Sequence, residues 1–225
     1  MTDELLDRVE LGPSEQAEAC VIWLHGLGAD GHDFEPIVPE LRLPTESVRF
    51  VFPHAPSQPV TLNGGISMRA WYDLLDIGLN APQDRDGITA NARHVEALMA
   101  HEKARGLAAD RLVLAGFSQG GAMALHTGLR HGEALAGILA LSSYLPLHDS
   151  LADEANPANA ATPICMAHGT GDPVLPFELG TTSRDELESH GYNIDWYEYP
   201  MQHEVCLEEI RAIGQWLTRV LALKG

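Results

Sequence analysis

The 225 residues carry 45% hydrophobic and 20% charged side chains, the balance of a globular chain and not of a disordered, collagenous or coiled-coil one. Fourteen Lys and Arg against 32 Asp and Glu leave a formal charge of -18, which repels phosphate backbones and anionic lipid headgroups and excludes nucleic acid and polybasic membrane docking. No run approaches the roughly 18 apolar residues of a membrane span, and Met1-Thr2-Asp3-Glu4-Leu5-Leu6-Asp7 lacks the basic and apolar blocks of a secretory signal, so the expected location is cytoplasmic.

Apolar runs alternate with helical periodicities, the pattern of a mostly parallel sheet covered by helices on both faces, an α/β chain. In chain order the predicted strands are Ala19 to Leu24, Val48 to Phe52, Arg111 to Gly116, Gly137 to Leu141, Ile164 to His168 and Ile194 to Tyr199, whose continuous hydrophobicity implies burial on both faces. From Pro53 to Asp84 no period is visible. The segment's Trp71-Tyr72-Asp73 favours a functional loop over disorder. Ile88, Ala92, Val95 and Met99 then mark one stripe of a helix that Asp86 caps and Gly106 ends. Cys206, Ile210, Ile213, Leu217 and Val220 mark a C-terminal helix. With no repeat and no linker, residues 1-225 read as one domain.

Cys20, Cys165 and Cys206 are odd in number and far apart, which suggests neither a disulfide framework nor a zinc knuckle. None of the eleven histidines forms His-Glu-x-x-His, and no metal site is expected.

Gly116-Phe117-Ser118-Gln119-Gly120 fits Gly-x-Ser-x-Gly, the sharp strand-to-helix turn that exposes a strained nucleophilic serine, with a strand before it and a helix after it. A serine hydroxyl needs a base and an orienting acid, which in this architecture follow in the order Ser, acid, His. Asp172 follows the Ile164 to His168 strand and His203 follows the Ile194 to Tyr199 strand, so both sit on loops at the carboxyl ends of parallel strands, the edge where such sheets place their sites. His168, His190, Asp149, Asp153, Asp185 and Asp195 compete for the two roles from less suitable positions. Backbone N–H groups of Gln119 and of Leu27, in His25-Gly26-Leu27-Gly28, are placed to meet the oxyanion. Trp71, Tyr72, Leu62 and Ile66 are candidates for an apolar acyl wall, or simply pack the long segment onto the sheet.

Two other classes compete. Gly26-Leu27-Gly28-Ala29-Asp30-Gly31 reads as Gly-x-Gly-x-x-Gly, the mark of a dinucleotide-binding oxidoreductase, but the second strand exits through Phe52-Pro53-His54 without the carboxylate that would hold a ribose. A non-catalytic binding scaffold would gain nothing from keeping serine, aspartate and histidine together.

The chain resembles the carboxylesterase and acyl-protein thioesterase family of α/β-hydrolases. The likeness runs through Val21 to Gly28, Pro53-His54-Ala55-Pro56, Trp71-Tyr72-Asp73, Ala115 to Gly121, His168-Gly169, Asp172-Pro173-Val174 and Tyr199 to His203. It implies a Ser118, Asp172 and His203 triad, an oxyanion hole at Leu27 and Gln119, and hydrolysis of small-molecule esters, thioesters or lysophospholipids with no metal or organic cofactor. Homodimers are common in the family, and that is the oligomeric expectation it adds. Some eukaryotic members carry a lipidated cysteine at the extreme N-terminus. Here the first cysteine is Cys20, so stable membrane anchoring is not implied.

Overall fold

The computed structural model describes residues 5–78 and 81–224. The residues Met1 to Glu4, on which the expectation of no secretory signal partly rests, and positions 79 and 80 of the aperiodic segment lie outside them.

Among the described residues the strands are β1 (Arg8–Leu11), β2 (Ala19–Leu24), β3 (Val48–Pro53), β4 (Ser57–Val60), β5 (Ile66–Arg69), β6 (Leu112–Phe117), β7 (Gly137–Leu141), β8 (Ile164–Gly169) and β9 (Ile194–Tyr199). The helices are α1 (Arg85–Ala104), α2 (Gln119–Arg130), the short α3 (Leu151–Glu154), α4 (Phe177–Ser189) and α5 (Leu207–Val220). Seven strands form one sheet in the order β1-β3-β2-β6-β7-β8-β9, parallel throughout except for the edge pair β1 and β3.

Alternation along the strands supplies two cores. Cys20, Ile22 and Leu24 of β2 pack on one face with α1, α2 and Leu187 of α4, while Ala19, Val21 and Trp23 pack on the other with Leu41 and the Ile210, Ile213, Trp216 and Leu217 stripe of α5. All six predicted strands form, within a residue at each end. Burial on both faces holds for five of them, but β9 is an edge strand whose Tyr197 and Glu198 are exposed. β1 escapes sequence reading because it is short, partly charged and held only by antiparallel pairing to β3.

Two further expectations are corrected, and one is extended. The helix after the long segment is capped by Asp84, whose carboxylate accepts from the Gly87 N–H, and Asp86 lies inside its first turn. The buried face of α1 extends beyond the apolar stripe to Glu102, which meets the equally buried Arg49 of β3 at 3.1 Å. The segment from Pro53 to Asp84 also contains regular structure, the two-stranded hairpin of β4 and β5 joined through a turn at Gly64 and Gly65. Both glycines have positive φ, 68° and 78°. With only four residues per strand and a largely exposed surface, the hairpin shows no clean apolar alternation.

Candidate active site

β6 runs into α2 through Ser118, which is held at φ 54° and ψ -120°, a conformation a serine adopts only when its surroundings force it. A Cβ on Gly116 would overlap the Gly120 backbone, and one on Gly120 would overlap the carbonyls of Leu24 and His25, so the turn closes only with glycine at both places. The Ser118 N–H donates to Leu141 O, and the Ser143 hydroxyl donates to Ser118 O, each at 2.8 Å. These bonds fix the turn against β7 and leave the Ser118 side chain facing a cavity.

Two other loops reach the same place. Past the end of β8, Asp172 turns its carboxylate inward, and Oδ1 accepts from the Val174 and Leu175 N–H groups at 2.8 and 2.9 Å. Past the end of β9, the His203 ring packs on Phe117 with centroids 4.8 Å apart. His203 Nδ1–H donates to Asp172 Oδ2 at 2.6 Å, and Nε2 accepts from the Ser118 hydroxyl at 3.0 Å. The Asp172 side chain is wholly buried, whereas the His203 side chain keeps 15% of its exposure.

The rival residues are engaged elsewhere. Asp149 pairs with Arg85 and Asp185 with Arg184, Asp195 accepts from Trp216 Nε1, and Asp153 lies within α3. His190 closes the end of α4. His168 lies beside Asp172, 3.5 Å from its Oδ2.

The loop after β2 faces Ser118 from the opposite side. His25 is buried and donates from Nδ1 to Gly26 O at 2.7 Å, while its Nε2 accepts from the Ala55 N–H at 3.0 Å. Burial lowers its pKa from 6.5 to about 4, so the ring stays neutral and can both donate and accept. Trp71 Nε1–H donates to His25 O at 2.9 Å, and Gly28, at φ 78°, donates to Arg69 O of β5 at 2.8 Å. Held in this way, the Leu27 N–H donates to no acceptor among the described residues, and neither does the Gln119 N–H at the start of α2. Both residues border the cavity that Ser118 faces.

That cavity has a volume of about 290 Å3. Its apolar side is formed by Tyr72, Leu74, Ile77, Tyr144 and Leu175. The hydroxyls of Tyr72 and Tyr144 lie 2.7 Å apart, and burial pushes the Tyr72 phenol well above its ordinary range, so it remains neutral. Trp71, the other aromatic candidate for the wall, is fully buried and does not border the cavity, its indole being taken up by the bond to His25 O. The Gln119 side chain clasps the same segment, accepting from Trp71 N–H and donating to Tyr72 O, both at 2.8 Å.

Leu62 and Ile66 do not border the cavity. Leu62 lies in the 3-10 turn between β4 and β5 and Ile66 at the start of β5, where they are 45% and 64% exposed. Sequence reasoning passed over Tyr144, Leu74, Ile77 and Leu175. Tyr144 lies just past the carboxyl end of β7, so the edge rule that selected Asp172 and His203 also points to it.

The glycines that suggested a dinucleotide have packing reasons. A Cβ on Gly31 would overlap Phe52 O, and Gly28 needs its positive φ. The loop leads into a 3-10 helix at Glu35–Leu41 and not into an α-helix whose N-terminus would cradle a pyrophosphate. Among the described residues, no group of three or more His, Cys, Asp and Glu side chains is arranged to hold a metal ion, and no helix is long and apolar enough to cross a membrane.

A mostly parallel sheet flanked by helices, with a serine on a forced strand-to-helix turn, defines an α/β-hydrolase. The chain belongs to the phospholipase/carboxylesterase family, whose model matches residues 8–221. It is 44% identical to acyl-protein thioesterase 1 of Neurospora crassa over 213 residues, covering 90% of this chain and 87% of that protein. To acyl-protein thioesterase 1 of Yarrowia lipolytica it is 41% identical over 205 residues, 88% of this chain and 90% of the relative. Among solved structures, acyl-protein thioesterase 2 of Zea mays superposes with a TM-score of 0.85 at 31% identity, covering 96% of this chain and 99% of that one. SOBER1 of Arabidopsis thaliana gives 0.86 at 31% identity, with 90% and 99% covered. The protein is therefore an enzyme, a serine hydrolase of esters or thioesters.

Proposed function

We propose that the protein hydrolyses acyl thioesters and carboxylic esters with Ser118 as nucleophile, His203 as general base and acid, and Asp172 as the residue that orients and stabilises the imidazole. The observation that carries this reading is the hydrogen-bonded chain from Ser118 Oγ to His203 and on to the buried Asp172, at 3.0 and 2.6 Å. His203 takes the serine proton as Oγ attacks the acyl carbon, and the negative charge that develops on the carbonyl oxygen is met by the unengaged Leu27 and Gln119 N–H groups. Collapse of the tetrahedral intermediate expels the leaving group, to which His203 returns the proton. Water then repeats the attack on the acyl-enzyme with His203 again as base.

The acyl group lies along the Tyr72, Leu74, Ile77, Tyr144 and Leu175 wall, where apolar burial contributes roughly 0.8 kcal/mol per methylene. A thiolate departs with little protonation and an alkoxide needs a proton, so one triad serves both leaving groups. The thioester arm of the proposal, with S-acylated proteins as substrates, is supported by the names of the relatives at 41% and 44% identity.

A fluorophosphonate probe with peptide mapping, run beside a panel of matched oxyesters, thioesters and lysophospholipids of graded chain length, tests the assignment. Labelling at Ser118, and loss of both labelling and turnover in Ser118→Ala, is the expected outcome. Turnover that survives in Ser118→Ala overturns it.

A further inference from the structure

A second imidazole is buried against the carboxylate assigned to orient His203. His168, in the carboxyl-terminal part of β8, is 1% exposed. Its Nε2 lies 2.9 Å from Leu175 O and 3.5 Å from Asp172 Oδ2. Leu175 O accepts, so Nε2 carries the ring's proton, and the Asp172 carboxylate, beyond hydrogen-bond contact at 3.5 Å, faces the positive end of that N–H. The fold makes room for this ring. A Cβ on Gly180 of α4 would stand 2.5 Å from Nδ1, and Phe177 packs edge-on at 5.9 Å.

We propose that His168 is a positioning residue for the hydrolytic reaction: its Nε2–H ties Asp172 and Leu175 into one loop conformation, aiming the carboxylate at His203 and setting the Leu175 side chain in the acyl wall. The proposal rests on the assignment of Asp172 and His203 given above. Asp172 Oδ1 is filled by the Val174 and Leu175 N–H groups, and Oδ2 takes His203 Nδ1–H. On a carboxylate with no exposed surface, each donor stands in for water that cannot reach it. The His168 N–H dipole also offsets part of the Asp172 charge that faces His203.

The charged and titratable groups facing the ring are Asp172, His203 and Glu178 of α4. Burial, with His203 acting in the same sense, outweighs the Leu175 hydrogen bond and the attraction of Asp172 and Glu178 and keeps the ring below the usual histidine range, hence neutral. A neutral ring with its proton on Nε2 is the form that the Leu175 carbonyl and the nearby carboxylate favour.

His168→Leu removes the donor at similar volume, whereas His168→Gln places an amide N–H close to the position of Nε2. The measurement is kcat/KM against pH for the full chain, on p-nitrophenyl esters of a short and a longer acyl group, with Asp172→Asn in parallel. In the leucine variant the acid limb moves to higher pH by about half a unit, a fraction of what a full charge in contact produces, and KM rises more for the longer ester. The glutamine variant returns both toward wild type. Should the leucine variant not fold, His168→Asn, whose shorter amide cannot reach the same acceptors, replaces it with the same expectation. A folded donor-less variant with unmoved limb and KM overturns the proposal, as does a folded glutamine variant that restores neither. Full activity in Asp172→Asn overturns the assignment of the site itself, an outcome distinct from failure of His168 alone.

Discussion

Asp172→Asn tests the site through one atom. The Val174 and Leu175 N–H groups both donate to Oδ1, so in the variant the amide oxygen must occupy that position and the NH2 group must take the place of Oδ2. It then faces His203 Nδ1, which responds by presenting its lone pair and moving the ring proton to Nε2. Nε2, 3.0 Å from Ser118 Oγ, can no longer accept the serine proton. The imidazolium formed during catalysis also loses its counter-charge. At an effective dielectric near 20 and a separation of about 4 Å, that interaction amounts to about 4 kcal/mol, and the disfavoured tautomer adds about 1 to 2 kcal/mol. The sum, about 5.5 kcal/mol, is a fall of about 10^4 in kcat. The same substitution in a serine-histidine-aspartate triad loses about that much. Steady-state hydrolysis of p-nitrophenyl butyrate and the rate of fluorophosphonate labelling read the effect. A variant that melts like wild type yet loses less than about tenfold would refute the tautomer reasoning.

The remaining predictions concern the clasp behind the oxyanion loop and two buried titrating groups. Gln119→Met keeps the backbone N–H but removes the bonds to Trp71 N and Tyr72 O, so kcat/KM is expected to fall by up to about thirtyfold, equivalent to two hydrogen bonds of about 1 kcal/mol each. Unchanged kinetics across the ester panel would show that the clasp is idle. Glu209 is buried at the start of α5, and desolvation raises its carboxyl from 4.5 to about 8. Folding therefore favours the protonated acid, and this stabilisation is complete below pH 4.5 and is lost as pH rises through about 8. Glu209→Gln keeps an acceptor for the Cys206 N–H, and its melting temperature is expected to decline less than that of wild type between pH 4.5 and about 8; parallel curves across that range would count against it. Burial lowers His126 in the opposite sense, from 6.5 to about 4, so its neutral ring supports the fold above pH 6.5 and that support is lost as pH falls toward about 4. Urea melts of His126→Gln across this range are expected to lack part of the wild-type acid slope.

Local chemistry written in consecutive residues was legible without coordinates. The continuous apolar runs of the buried strands, the Gly116 to Gly120 turn, and the positions of Asp172 and His203 just past two strands each follow from short-range physics: strand burial, glycine sterics, and the edge at which parallel strands release their loops. β1 and the β4 and β5 hairpin were not legible, since four-residue strands on exposed or edge positions carry little periodic signal. The capping of α1 by Asp84 in place of Asp86 was decided by where the preceding loop is anchored, with Asp84 also accepting from the Asp73 N–H.

What tertiary structure alone decided is which side chains share space. Leu62 and Ile66 have the composition of an acyl wall, but they stand exposed on the β4 and β5 hairpin, and Tyr144 reaches the cavity from the loop after β7, which the sequence does not connect with Tyr72. The Gln119 clasp on Trp71 and Tyr72, and the placing of His168 against Asp172, likewise join residues through packing that no spacing rule encodes. Sequence determines the local conformations that make a nucleophile and its partners available. Only the assembled sheet fixes the distances between them, because those depend on the summed packing of every layer beneath the loops.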